Sequence, residues 1–340
     1  MRFHEVFTFD VVHESLPWPW ISFAADRGCL AYASSATTVV AMSSDGDKAV
    51  NRATFELPAD LAISSSANEG LRAFSVAKGG TLLAAIGNAG AGDVVTVVHA
   101  SGEQKRVAVS TLTGEGHTAC AVAFDRSGGR LWVALESATE TVIALLEATS
   151  LEKVDLLRSA AVPRPALYEF HVHPQDDAVL LLAVCGESGT YARVAGFAGD
   201  SASLIPTDID DGGIASGFVG FSWDGARVHL AEADELQTRS WPALHELSTV
   251  PLADDFVSSF SGAVVGTHIL VDGEDVESDE DAVMLYDQTG IRGILLPGRG
   301  PVGMWAGALQ SDIVITLDAK GEPSTARAWR VTPTRTELAN

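Results

Sequence analysis

A chain of 340 residues and 35.6 kDa is long enough for two average domains, or for one large domain built from repeats. Its 22 Lys and Arg against 45 Asp and Glu leave a formal charge of −23, and a surface that acidic repels phosphate backbones, which argues against nucleic acid as a direct partner. With 46% hydrophobic and 20% charged residues, the chain can bury a large core and does not have the composition of a disordered protein.

From the N-terminus, MRFHEVFTFDVV alternates apolar and polar residues as a strand does, and it lacks the unbroken apolar core of a secretory leader. The longest apolar stretch, Ala178 to Cys185, falls far short of the roughly 20 residues that a membrane-spanning helix needs. Cys29, Cys120 and Cys185 are odd in number, far apart and each set in an apolar segment, the pattern of buried reduced thiols. These features predict a soluble, cytoplasmic protein with no membrane partner. The preference for Arg over Lys and the abundance of Ala and Gly suit a GC-rich bacterial genome.

One phrase then recurs along the chain. It reads ISFAADRGCLAYASSATTVVAMS from Ile21, FSVAKGGTLLAAIGNAGAGDVVTVVHA from Phe74 and CAVAFDRSGGRLWVALESATETVIALLEATSLEKVDLL from Cys120. It returns as FHVHPQDDAVLLLAVCGESGTYARVAGF from Phe170 and VGFSWDGARVHLAEADELQTRSWPA from Val219, with fainter copies from Phe260 and Gly303. Each copy is an alternating apolar run, a tight turn usually containing Gly, and further runs separated by looser turns. Alternation at period two buries one face and Gly-rich pairs close hairpins, so each copy predicts a four-stranded meander. Phe124, Val172 and Phe221 recur at a spacing of about 48 residues, which allows about seven copies, and Phe23 and Val76 occupy the same place in the first two.

Such sheets cannot bury both faces alone and stack radially, so the expected fold is all-β, a single seven-bladed β-propeller over 1–340. The blades fall at approximately 20–58, 71–112, 118–157, 168–208, 217–254, 259–297 and 301–334. The last copy has three clear strands and a poor tail, PTRTELAN, whereas the N-terminal strand has no hairpin partner before Pro17 and Pro19. Residues 2–12 are therefore expected to supply the outer strand of the last blade. VAFDRSGGRLWVALE and VGFSWDGARVHLAEA resemble the strand–turn–strand phrase of WD40-like and YVTN-type bacterial propellers, and GEGH before Thr118 resembles the Gly-His opening of a WD40 blade. No blade ends in Trp-Asp at the usual place. The resemblance implies a fold and no particular activity, because lactonases, oxidoreductases, scaffolds and assembly subunits share it.

Few residues remain for chemistry. Glu169, His171 and His173 share one face of the fourth blade's first strand at period two, and imidazole with carboxylate suits a divalent metal. Yet Glu169 and His173 would lie about 13 Å apart along that strand, so a metal site would need help from neighbouring blades, and inter-blade hydrogen bonding is the simpler role. DGEDVESDED, from Asp272 to Asp281, carries seven acidic residues. It lacks the Gly and closing Glu of a calcium loop and reads as a solvated hairpin tip or a docking segment for a basic surface. DIDDGG (208–213) reads as an inter-blade turn, and GRGPVG (298–303) as a tight crossing, since Pro301 and the absence of a following helix leave it no pyrophosphate site. Trp18, Trp20 and Trp305 are expected to wedge between blades, whereas Trp223 sits in a turn as the best candidate for an exposed contact.

The leading expectation is a non-catalytic protein-interaction propeller, a scaffold, regulator or subunit of a bacterial assembly, with no cofactor. Its partner-binding candidates are Trp223, Asp272, Glu274, Asp275, Glu277, Asp279, Glu280 and Asp281. The alternative is a lactonase-like hydrolase or metal-assisted cyclase or lyase working in the central channel, with Glu169, His171, His173 and His117 as bases or ligands. Nucleophile elbows and zinc-binding helices of the H-E-x-x-H kind are missing.

Overall fold

The computed structural model describes residues 2–11, 21–64, 70–198, 201–209, 216–277, 280–287, 294–297, 304–310, 312–318 and 324–332. Pro17 to Trp20, the GRGPVG segment, residues 210–213 of DIDDGG and the tail beyond Thr332 lie outside them.

Strand β1 (Arg2–Val11) comes first in the chain. The first meander is β2 (Ile21–Phe23), β3 (Leu30–Ala33), β4 (Thr38–Asp45) and β5 (Lys48–Glu56). The second is β6 (Gly70–Val76), β7 (Leu82–Asn88), β8 (Asp93–His99) and β9 (Gln104–Ala108), followed by a single helical turn, α1 (Val109–Thr113). The third is β10 (Thr118–Phe124), β11 (Arg130–Glu136), β12 (Glu140–Glu147) and β13 (Lys153–Ala160). The fourth is β14 (Leu167–Val172), β15 (Ala178–Val184), β16 (Thr190–Ala198) and β17 (Ser201–Ile205). The fifth is β18 (Gly217–Phe221), β19 (Arg227–Ala231), β20 (Glu235–Ser240) and β21 (Glu246–Pro251). The sixth is β22 (Phe256–Val265), β23 (His268–Asp275), β24 (Glu280–Asp287) and β25 (Ile294–Pro297). In the last sheet β26 (Met304–Leu309), β27 (Ile313–Asp318) and β28 (Ser324–Thr332) are completed by β1, in the order β1-β28-β27-β26. These seven four-stranded antiparallel sheets are the blades of a seven-bladed β-propeller. No helix among the described residues is long and apolar enough to cross a membrane.

The turns are written locally. In the third blade the Asp125 carboxylate is buried and accepts the Arg130 backbone N–H at 3.1 Å and the Ser127 hydroxyl at 2.8 Å, while Gly128 takes the left-handed φ of 77° that the turn needs. Ser222, Asp224 and Gly225 do the same work in the fifth blade.

Two compact units make up the chain, one of Met1–Val11, Asp45–Ala49 and Ser216–Asn340, the other of Val12–Ser44 and Val50–Ala215. We call them the closing unit and the long unit. In the long unit β11 shows how alternation fills two interfaces. Leu131, Val133 and Leu135 join one apolar cluster with Ile86 and Val97, whereas Trp132 and Ala134 join another with Leu181 and Val179. In the closing unit β23 divides likewise, Ile269 and Val271 packing with Phe256 and Val219, and Leu270 with Val314 and Val331.

The closing strand is paired with β28 from Arg2 opposite Thr332 to Val11 opposite Ser324, with one irregularity between Glu5 and Phe7. Val11 is fully buried, Phe3 and Trp329 each pack against the apolar cluster of that unit, and Arg327 reaches Glu5 at 3.0 Å. From the same unit Arg330 binds Asp312 at 3.1 Å, the Gly46 carbonyl at 2.9 Å and the Asp47 carboxylate. Between β18 and β22 the backbones approach so closely that a Cβ on Gly217 would meet the Phe260 carbonyl oxygen at 1.7 Å. Phe260 itself, in a two-residue bulge of β22, has φ of 58°.

Candidate functional site

On β14 the alternate residues Tyr168, Phe170 and Val172 pack into the long unit's core, which leaves Glu169 and His171 on the other face. There His171 Nε2 lies 3.3 Å from Glu169 Oε2. The strand ends at Val172, and His173 goes into the turn. Its ring is 2% exposed, and its Nδ1 accepts the backbone N–H of Asp176 at 2.7 Å and of Gln175 at 3.2 Å. With both of these N–H groups converging on it, Nδ1 is committed to the residues that follow it in the chain. His173 is therefore a cap for its own turn, and the Glu169–His171–His173 trio is not a single ligand set.

His117 precedes β10, at the opposite end of the equivalent strand from His173. Its Nε2 is 3.2 Å from Glu140 Oε1, and Glu140 also pairs with Arg158. The Arg158 hydrogen bond, with a smaller contribution from His117, holds the Glu140 carboxyl below its usual range. Among the described residues no group of three or more His, Cys, Asp or Glu is placed to hold a metal ion. The cysteines form no disulfide, and burial pushes their thiols up, Cys29 to about 11, with Glu136 adding to the effect at Cys120 and Cys185. Protonated, enclosed thiols of this kind are poor nucleophiles.

The acidic run is not the free loop that its charge suggests. Asp272 lies within β23, is 6% exposed and accepts the Ser261 hydroxyl at 3.1 Å, so it is a strand residue and unsuited to docking. Glu274 and Glu277 are exposed, and Asp275 Oδ1 accepts the Glu277 N–H at 3.1 Å to shape the tip. Glu280 and Asp281 belong to β24, and Asp279 lies outside the described residues. Trp223, 68% exposed, lies in the β18–β19 turn. That turn and the β23–β24 tip are at opposite ends of neighbouring meanders in the closing unit, so the two proposed contacts do not share a surface.

The acidic tip has other companions. The Val276 N–H donates to the Asp255 carbonyl at 2.7 Å, tying the tip to the connector between β21 and β22. In turn, the N–H groups of Leu252 in that connector and of Ser258 early in β22 donate to the carbonyls of Asp234 (2.8 Å) and Ala233 (3.0 Å) in the β19–β20 hairpin. Three segments are thus stitched together that carry Glu232, Asp234, Glu235, Asp254, Asp255, Glu274, Asp275 and Glu277, with no Lys or Arg in 232–235, 252–258 or 274–277. We refer to them as the acid end of the closing unit.

At its base lies an arrangement that sequence reasoning missed. Glu232 is 4% exposed. Gln237 Nε2 donates to carboxylate oxygens of both Glu232 and Glu235, the latter at 2.9 Å. Its Oε1 accepts Arg239 Nε at 2.9 Å and Nη2 at 2.7 Å, while Arg239 Nη1 donates to the Leu244 carbonyl at 3.1 Å. One guanidinium on the oxygen and two carboxylates on the nitrogen fix the orientation of the Gln237 amide. Burial above all, and then Glu235, push the Glu232 carboxyl up to about 7.

No family model matches the chain, and no curated protein matches it. Among solved structures it is similar to the β-propeller domain of Cps50 (Swd1) from Myceliophteria thermophila, with a TM-score of 0.61 and 11% identity over 97% of this chain and 100% of that one. At that identity the likeness is one of fold alone, and it agrees with the seven four-stranded blades: the chain has a β-propeller fold.

Proposed function

We propose that this chain is a non-catalytic protein-interaction propeller, a scaffold, regulator or assembly subunit, that docks a basic partner on the acid end of the closing unit. The observation that carries this reading is the stitching of three acid-bearing segments into one surface without a basic residue among them. A net charge of −23 would add long-range steering, raising the encounter rate with a basic partner at low salt. Trp223, at the far end of its blade, is a candidate for a second contact. A bacterial, cytoplasmic setting and the absence of a cofactor go with this reading. The catalytic alternative draws no support from His173 and His117 as partners of Glu169 and His171, since His173 Nδ1 is occupied by its own turn and His117 lies at the opposite end of the equivalent strand of its blade.

The test is purification of the tagged chain from its host beside the variant Glu274→Gln/Glu277→Gln/Asp254→Asn, each at low and high salt. A stoichiometric partner retained at low salt by the unaltered chain, and lost both at high salt and in the variant, is expected. The same partner retained equally by the variant would overturn the docking surface.

A further inference from the structure

The Glu232 arrangement stands out because Arg239, the cation beside it, bonds to the Gln237 amide oxygen and the Leu244 carbonyl and not to the two carboxylates. The four polar groups of the Glu232–Gln237–Arg239–Glu235 set are linked through the Gln237 amide, whose nitrogen has to serve two carboxylates at once. Arg239 lends its charge only across that amide, and its Nη2 lies 3.8 Å from Glu246 of β21, a further acid. Asp234 and Glu235 face Glu232 from its own hairpin, and the connector bonded to that hairpin adds Asp254 and Asp255. β18 and β22 bring no ionisable side chain at all.

A carboxyl in this position is comfortable neutral, when its own O–H can be shared with a neighbouring carboxylate. Ionised, it confronts Glu235 across one amide with little solvent to screen the pair. The strain falls on the hairpin that carries both groups, closed by the Glu232 N–H to Glu235 carbonyl bond of 2.8 Å. That hairpin supplies the Ala233 and Asp234 carbonyls that hold the connector and the start of β22, and the connector holds the β23–β24 tip.

We propose that the β19–β20 hairpin is a pH-responsive element of the docking surface, in which ionisation of Glu232 loosens the hairpin and the connector and adds a charge to the acid end, so that a basic partner binds more tightly as pH rises through neutrality. This rests on the acid end being the docking surface proposed above. The Glu232 carboxyl, held at about 7, would change its charge within the range that cells use. His229, the histidine on the adjacent strand, is held down to about 4 by burial and stays neutral there, so it contributes no competing step.

Two measurements on the full chain, beside Glu232→Gln, separate the switch from the docking reading. The first is amide hydrogen exchange at Leu252, Ser258 and Val276, corrected for the intrinsic pH dependence, at about pH 6 and about pH 8. Protection is expected to fall at least about threefold in the unaltered chain and to stay level in Glu232→Gln. The second is binding of a labelled Lys/Gly peptide, whose own charge is constant over that range, at low salt. Affinity should rise on the order of two- to threefold between these pH values for the unaltered chain and by less for the variant. Equal protection at both pH values, or an equal loss in Glu232→Gln, overturns the switch. Peptide binding with the same pH profile in both chains also overturns it while leaving the docking surface standing. Failure to bind at any pH removes the docking surface, and exchange still decides whether the hairpin responds. Glu235→Gln provides a second variant should Glu232→Gln fail to fold, and it should move the transition to lower pH.

Discussion

Replacing Glu232 by Gln should make the protein more stable at neutral and alkaline pH and leave it almost unchanged in mild acid. Gln keeps the shape of the neutral carboxyl and can still accept from Gln237, so below pH 4.5 the two chains present nearly the same group at this position. The folded chain holds the Glu232 proton up to about pH 7, whereas the unfolded chain releases it near 4.5. Folded protein therefore binds more protons than unfolded protein across that interval, and stability must fall as pH climbs through it, levelling off above 7. At about 1.4 kcal/mol per pH unit, the loss amounts to at most about 3.5 kcal/mol. For a chain of this length that is roughly 5 °C of melting temperature. Thermal melts of the two chains every half unit from acid to alkaline pH give the difference curve directly, since titrating groups that do not interact with Glu232 cancel in it. A gap that opens between 4.5 and 7 with the variant more stable is expected. Parallel curves, or a variant that is less stable throughout, would show that Glu232 is not held neutral by its surroundings.

His173→Ala should destabilise the long unit by about 2 kcal/mol through the loss of an acceptor for two turn N–H groups, with Asn restoring part of it, as read by urea midpoint. An unchanged midpoint would return His173 to the list of residues kept for chemistry. Gly217→Ala places a methyl group 1.7 Å from the Phe260 carbonyl oxygen and should cost at least about 3 kcal/mol, since backbone rather than a side chain must yield. A cost under about 1 kcal/mol would mean that the β22 bulge shifts freely.

The propeller was legible because each of its blades restates the same local rule. Phe23, Val76, Phe124, Val172 and Phe221 end the first strands of their sheets, and the Gly-bearing turns after most of them permit little besides a hairpin. The closing strand could be read from an odd count, three strands at one end of the chain and one at the other. The candidate site was less visible, for reasons of distance. Period-two alternation runs from Glu169 through His173 in sequence, but the strand stops at Val172, and the next side chain answers to the turn. A dense charge run masked the strand parity that buries Asp272. EADE at 232–235 looks like any solvated hairpin tip, because what encloses Glu232 and Glu235 comes from Gln237, Arg239 and a connector some twenty residues further on.

The pairing of β1 with β28 sets a timetable for biogenesis. Arg2 finds Thr332 across a separation of 330 residues, so β1 is synthesised long before the strand that it pairs with. At ordinary rates of translation that interval is on the order of tens of seconds. Throughout it Phe3, Phe7 and Phe9 are presented on an unpaired, β-prone segment, which is the kind of surface that chaperones shield and that neighbouring chains on a polysome can capture. The alternating His4, Glu5, Thr8 and Asp10 leave that segment soluble while it waits, and six other blades can form before it is needed.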